Sequence, residues 1–387
     1  MKIGFDFRMG GSINSGIGRY SFELLKHLLI NNQKLNSPDE YFVFFHPENC
    51  AEDDLAEITK LGGKLIPAPF RHYGLVGEQI KYPRLLTSYN LDLMHFPNFN
   101  VPVRYRGKYV VTIHDMVHHK ISGHKKSTYH KFLLYKYVIG HAAKFAQKVI
   151  TVSEAAKKEI VEFLGVDPQK IEVIYEATDL DTTPANFEEI KELLLLTRPY
   201  LLFVGTLERK KNIITLCRGF DVLLQKYKYD IDLVIAGKPD PHYPEIRTQA
   251  MQIKHPEHLV FTGFVPTHTQ TALYQNAYAF VTASLHEGFG LPGLEAMQYG
   301  VPVVAANTEV LNEVYDNGAI FFDPLDPEDI AEKLNLLLRD TEFYKQVQAR
   351  ALERAALFSW TKTAEETYQV YQSVINPTFN HTPEYEI

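Results

Sequence analysis

Residues 286 to 304 read His286-Glu287-Gly288-Phe289-Gly290-Leu291-Pro292-Gly293-Leu294-Glu295-Ala296-Met297-Gln298-Tyr299-Gly300-Val301-Pro302-Val303-Val304. Two acids, Glu287 and Glu295, stand eight positions apart across a glycine-rich turn. Pro292 suits the first position of a helix, where its missing N–H would have no partner anyway. Gly300 suits the left-handed residue just past a helix end. The spacing therefore predicts a loop from His286 to Leu291, a short helix from Pro292 to Tyr299 and a buried strand from Val301 to Ala305. Glu287 falls in the loop and Glu295 in the helix's first turn. The N–H groups of Gly288, Phe289, Gly290 and Leu291, with the positive end of the helix dipole, make a place for an anion such as phosphate. The plainer alternative is two solvated glutamates on an ordinary loop. Gly288, Gly290 and Gly293 weigh against it, because they remove side chains where something must approach the backbone.

Working outward, 387 residues exceed one typical core, so two domains are expected. An apolar fraction of 45% with 22% charged residues is globular composition. A net charge of −7 argues against a general nucleic-acid binder. Cys50 and Cys217 lie far apart and form no ligand-spaced pair, which fits a reducing compartment and no structural zinc. The chain is expected to enter a strand at once without a signal peptide, and it holds no apolar run long enough to span a bilayer. The expected setting is cytoplasmic.

Apolar strands alternate with helical patterns along the chain. Expected strands are Ile3–Phe7, Tyr41–Phe45, Leu93–Phe96, Tyr109–Ile113, Lys148–Val152 and Ile171–Ile174, then Tyr200–Val204, Ile231–Ala236, Leu259–Phe261 and Ala279–Ala283. Such alternation implies mostly parallel, doubly wound α/β sheets, whose ligands lie at the carboxyl ends of the strands. Several notable residues fall at those ends: His114, the basic run Arg209-Lys210-Lys211, and the segment around Phe264 and Val265. Residues 178 to 199 read as the linker, leaving domains at 1–180 and 198–360 and a last helix at 361–376. Asp179-Leu180-Asp181 and Asp230-Ile231-Asp232 match a metal-nucleotide Asp-x-Asp pattern by accident of position. Residues 116 to 153 hold seven lysines and no acid, interleaved with aromatic residues. The first reading is a solvated helix face over a packed one. The sharper one is a basic amphipathic patch over 120–148 that docks on anionic lipid at the inner membrane face or on a lipid-phosphate acceptor.

The acid pair resembles the E-x7-E signature of the retaining nucleotide-sugar glycosyltransferases of family 4, which have the GT-B fold. Gly16-Ile17-Gly18-Arg19-Tyr20 is similar to the family's amino-terminal loop, which carries Gly16 and Gly18 over as donor-binding residues. Thr112-Ile113-His114-Asp115 and Thr151-Val152-Ser153 match family segments at strand ends. The family's Gly-Thr-Leu-Glu-Pro-Arg-Lys-Asn appears here as residues 205–212, with Arg209 at the proline position and Lys210 in place of arginine. Lysine cannot make arginine's two-pronged contact with phosphate, so the division of labour between Arg209 and Lys210 stays open. Lys211 matches the family lysine.

The resemblance implies two Rossmann-like domains facing a central cleft. It implies a donor diphosphate neutralised by Lys211, Lys210 or Arg209 and the loop N–H groups, with no metal and no further cofactor. Glu295 would take the ribose hydroxyls and the backbone around Phe264 and Val265 the base. Glu287 would orient the donor sugar, and His114 would contact the sugar or the acceptor. The expected reaction moves a hexose, mannose from GDP-mannose first, to a glycan or lipid-linked acceptor. A UDP-sugar donor, a sugar-nucleotide epimerase and a non-catalytic sugar-nucleotide binder are the alternatives.

Overall fold

The computed structural model describes residues 1–11, 16–72, 74, 76–117, 129–178 and 186–376. Apolar strands with both faces buried must be covered on both sides, which parallel sheets wrapped by helices achieve. Two such sheets form. The first has β1 (Lys2–Asp6), β2 (Glu40–Phe45), β3 (Lys64–Pro67), β4 (Leu93–Phe96), β5 (Tyr109–Thr112), β6 (Lys148–Thr151) and β7 (Ile171–Val173), ordered β3-β2-β1-β4-β5-β6-β7. The second has β8 (Tyr200–Val204), β9 (Asp232–Ala236), β10 (Leu259–Gly263), β11 (Ala279–Thr282), β12 (Val303–Ala306) and β13 (Ala319–Phe322), ordered β10-β9-β8-β11-β12-β13. Neighbouring strands pair in parallel, for example Leu201 with Leu233 and Leu201 with Ala279.

In each sheet the strand order turns back on itself, between β1 and β4 and between β8 and β11. Loops leaving the carboxyl ends there diverge and open a crevice. In the second sheet those loops carry residues 205–212 and 283–290.

The chain divides into two compact units. Met1–Met116, Thr128–Glu176 and Ser359–Ile387 belong to the first, and Val117–Ser127 and Ala177–Phe358 to the second. The second unit thus starts earlier than the 198 read from the sequence, and the helix Phe187–Leu193 goes with it. The last helix, Trp360–Ile375, starts at Ser359, whose Oγ accepts from the Lys362 N–H at 3.2 Å. It packs on the first sheet's own helices and strands. Trp360 lies 6.0 Å from the Tyr20 ring, Thr363 Oγ1 donates to the Tyr175 carbonyl at 2.8 Å, and Tyr371 is fully buried.

β3 and β13 are the strands the sequence reading passed over. β3 is a short edge strand of Lys64-Leu65-Ile66-Pro67 with no fully buried residue, so it lacks the apolar run that marks the interior strands. β13 is four residues directly after the Asp316–Gly318 turn. The strand expected from Val301 begins at Val303, because Val301 and Pro302 lie outside the ladder and the Gly300 φ of +70° has first to reverse the chain.

Candidate active site

Strand β8 ends at Val204, and at Gly205, the next residue, the chain nearly touches the turn after β9. A Cβ on Gly237 would stand 1.9 Å from the Gly205 carbonyl oxygen, so only glycine fits. From this fixed point the chain runs into one turn of helix at Arg209–Lys211. Asn212, left-handed at φ +52°, then starts the helix Ile213–Tyr227 and anchors itself through Nδ2 to the Pro324 carbonyl at 2.7 Å. The Lys210 carbonyl accepts from the Leu285 N–H at 2.7 Å, tying the basic turn to the loop that follows β11.

That tie brings the sequence-predicted residues together. Lys211 Nζ donates to Glu287 Oε1 at 2.5 Å, with both side chains about seven-eighths buried. Burial alone would raise the Glu287 pKa. The charges of Lys211 and Lys210 and the hydrogen bonds from Lys211 and Ser284 outweigh it and hold the carboxyl below its ordinary value, so Glu287 is ionised. Lys210 lies 3.9 Å from Glu208. Arg209 points elsewhere: it is 60% exposed, pairs with Glu245 at 3.1 Å and covers the Tyr243 ring.

The second acid sits on the helix Leu291–Gln298, one residue ahead of the expected start. Its first turn is set by Gly290, at φ +99°, whose carbonyl accepts from Tyr315 Oη at 2.5 Å. A side chain at Gly290 would meet that same hydroxyl at 2.7 Å. Glu295 is buried, and its Oε2 accepts from Tyr274 Oη at 2.8 Å and Gln270 Nε2 at 3.2 Å. Phe289 turns inward and packs edge-on against Phe358, so its ring is structural and only its backbone faces the loop. Phe264 is exposed beyond the end of β10, with Val265 half-buried behind it.

In the first unit, Gly16 (φ +31°) opens the helix Ile17–Lys34, and Gly18 is buried in its first turn, where its carbonyl accepts from the Gly11 N–H. Residues 12–15 of the glycine loop lie outside the described residues. His114 has both ring nitrogens engaged, Nδ1 with Glu176 Oε1 at 2.9 Å and Nε2 with the Pro97 carbonyl at 3.0 Å. Burial would lower its pKa, but the hydrogen bond and charge of Glu176, then the Pro97 carbonyl and Asp115, raise it above the ordinary value. An imidazolium donating to two oxygens matches that geometry. The expectation that His114 reaches a sugar therefore requires it to leave one of these partners. Glu176, just past β7 at the carboxyl edge, was not singled out in the sequence; the strand-end rule that raised His114 would also have found it.

Asp230 and Asp232 are no metal pair. Arg198 holds them at 2.6 and 3.2 Å at the amino end of β9, away from the ligand edge. Asp179 and Asp181 lie outside the described residues. Among the described residues no group of three or more His, Cys, Asp or Glu is placed to hold a metal ion.

Two family profiles divide the chain between them. One described as "Glycosyl transferases group 1" matches residues 185–354, and one described as "Glycosyltransferase Family 4" matches residues 15–182. The chain is a family 4 glycosyltransferase. It is 28% identical over 381 residues to the O-antigen chain mannosyltransferase B of Escherichia coli, covering 92% of this chain and 96% of that one. It is 29% identical over 192 residues to the O-antigen chain mannosyltransferase RfbU of Salmonella typhimurium, covering 50% of this chain and 51% of that one. The crystal structure of Anabaena HepE in complex with UDP-glucose superposes with a TM-score of 0.74 at 18% identity, covering 96% of this chain and all of that one. The glycosyltransferase thus has the GT-B fold that its sequence implied.

Proposed function

We propose that this glycosyltransferase moves mannose from GDP-mannose to a glycan or lipid-linked acceptor in the cytoplasm, retaining the anomeric configuration and without a metal ion. The observation that carries the reading is the Lys211–Glu287 pair at the point where β8 and β11 diverge. Its mannose part rests on the names of the two O-antigen relatives.

The pair suggests how donor binding changes the site. A nucleoside diphosphate leaves only if its charge is neutralised, and Lys211 is a cation already held at the strand edge. When the diphosphate arrives, Lys211 exchanges Glu287 for a phosphate oxygen, and Lys210 and the backbone from Gly288 to Leu291 add to the same charge. Glu287, ionised and released, accepts hydrogen bonds from the donor sugar's hydroxyls and steadies positive charge developing at the anomeric carbon. That carbon exchanges its bond to the diphosphate oxygen for one to the acceptor oxygen, and the acceptor hydroxyl's proton passes to the departing diphosphate. Glu295, fixed by Tyr274 and Gln270, is set to accept from the ribose hydroxyls. The backbone at Phe264 and Val265 holds the base.

The test is a thermal-shift panel of GDP, UDP and ADP with their common sugar conjugates, in buffer without divalent metal. GDP and GDP-mannose should raise the melting temperature, and ligand at 100 times its Kd adds about 2.7 kcal/mol. Stabilisation by UDP conjugates alone would replace the donor. No shift with any nucleotide at millimolar concentration would remove the second unit as a nucleotide site.

A further inference from the structure

Where β1 and β4 part, the first unit has a recess of its own. It lies among the carboxyl ends of those strands, the start of the helix Ile17–Lys34 and the segment after β3. Asp6, Ser21, His72, Asn98 and Asn100 supply its polar lining. Most of these groups are already engaged. Ser21 Oγ donates to the Ile17 carbonyl at 2.7 Å, Asn98 Oδ1 accepts from the Phe99 N–H at 2.7 Å, and Arg8 closes on Asp6. Two are not. Asn100 is 6% exposed, and its buried Oδ1 has no hydrogen-bond partner. Folded chains seldom leave a buried oxygen so, and a polar recess is where such an oxygen meets a ligand. His72 Nδ1 donates to Glu78 Oε1 at 3.0 Å, an oxygen that Arg8 Nη2 also reaches at 3.3 Å. That carboxylate fixes a proton on Nδ1, and His72 Nε2 has no partner among the described residues.

Charge decides what the recess can take. Burial would raise the Asp6 pKa, but the charge and hydrogen bonds of Arg8 outweigh it and hold the carboxyl below its ordinary value. Arg8 itself is spent on Asp6, Glu78 and the Phe70 carbonyl, so it has no donor left for a ligand. Among the described residues no lysine or arginine lines the recess. Of the lysine-rich stretch 120–148, residues 120–128 lie outside the described residues. A phosphate oxygen only accepts hydrogen bonds. It would meet the Asp6 carboxylate and leave Asn100 Oδ1 without a donor. A sugar hydroxyl is neutral and both donates and accepts, so it can serve Asn100 and His72 together.

Given the transfer reaction proposed for this chain, we infer that the recess receives a hydroxyl of a neutral sugar residue, held by Asn100 and His72. The molecule that receives the mannose is then a glycan, and a bare lipid phosphate is rejected. A trapped water is the plain alternative occupant, because it too can donate to Asn100 Oδ1.

The experiment is saturation-transfer NMR on the full chain, with and without GDP. The probes are methyl α-mannoside, methyl α-glucoside and methyl α-galactoside, with mannose 1-phosphate and mannose 6-phosphate as their anionic counterparts. At least one methyl glycoside should bind the parent. Asn100→Leu and His72→Phe should each lower its affinity by about tenfold, the scale of one lost hydrogen bond. Asn100→Leu should not lower the melting temperature, because Oδ1 has no bond to lose. A fall there would make Asn100 a structural residue and overturn the inference. The inference also fails if no methyl glycoside binds the parent in either condition. It fails if either variant binds the glycoside as the parent does, which leaves water as the occupant. Binding of the two phosphates that weakens in both variants would overturn it as well, because the recess would then take an anion. The nucleotide thermal shifts read the second unit, so a failed donor site and a failed recess give separate results.

Discussion

The two units build the same kind of edge and use charge on it differently. In the second, the carboxyl ends of β8 and β11 set Lys211 against Glu287, and each has the other as its close opposite charge. In the first, the residues at the ends of β1 and β5 are closed into networks. Arg8 is fully buried, with Nε and Nη2 on Asp6 at 2.9 and 2.7 Å, Nη2 also 3.3 Å from Glu78, Nη1 on the Phe70 carbonyl at 3.0 Å, and its guanidinium over the Tyr82 ring. His114 is clamped between Glu176 and Pro97, and its neighbour His95 bridges Tyr371 and Thr112. Sheet topology fixes where a ligand can lie. Whether the edge is poised to receive an anion depends on how many partners its charges already have.

The sharpest way to break the comparison is at Glu287. Glu287→Ala should lower turnover of the glycosyl donor by about 10²–10³-fold, the scale of removing one electrostatic contact to the reacting centre. Nucleotide affinity, measured by calorimetry, should survive. Parent-like turnover would take the residue out of the reaction.

Gly237→Ala tests the scaffold beneath. The added methyl has backbone on its far side at 1.9 Å, so β8 and β9 must part. A loss of about 3 kcal/mol in denaturant unfolding is expected, at the upper end for overpacking.

At the basic turn, Lys211→Ala should weaken nucleoside diphosphate binding by about 10–100-fold, in line with the loss of a charged hydrogen bond. Arg209→Ala, at an exposed pair with Glu245, should change it by no more than about threefold. The reverse order would make Arg209 the phosphate ligand in place of the family arginine.

The smallest effect is the most diagnostic, because its sign differs between the units. Glu287 is depressed below 4.5, so the stability it contributes is present above that pH and is lost as pH falls through its folded value. His114 is raised above 6.5, so its contribution is full below that pH and is lost as pH rises through its folded value. The groups that face His114 are Glu176, Asp115, the Tyr20 ring edge and His95, which burial and His114 itself push down to about 3 and keep neutral. The excess melting temperature of the parent over Glu176→Gln should therefore shrink as pH rises above 6.5. The excess over Glu287→Gln should shrink as pH falls below 4.5. A Glu176→Gln difference that is constant across that range would mean His114 is not held as an imidazolium.

Much of this was legible in the residues. The interior strands are apolar runs punctuated by glycine, so β4 and β8 have the ends read from them and most others shift by a residue. Edge strands such as β3 escape because half their surface meets solvent and their composition is mixed. The first acid and the lysine were readable as a motif. Their mutual hydrogen bond was not, because it depends on the Lys210 carbonyl catching the Leu285 N–H from a loop some seventy positions away. Tyr274, Gln270 and Tyr315, which hold Glu295 and Gly290, give no signal of their own; tyrosine on a helix reads as ordinary core.

Sequence by itself determined the parallel α/β class, the carboxyl edge as the ligand edge, and the residues offered there. Hydrophobic runs, glycines and strand ends are local properties of the chain. Tertiary structure alone decided which charges are already paired: Lys211 with Glu287, Arg209 with Glu245, and His114 with Glu176. Ion pairing depends on distance and burial across elements far apart in sequence, and neither is written in the order of the residues.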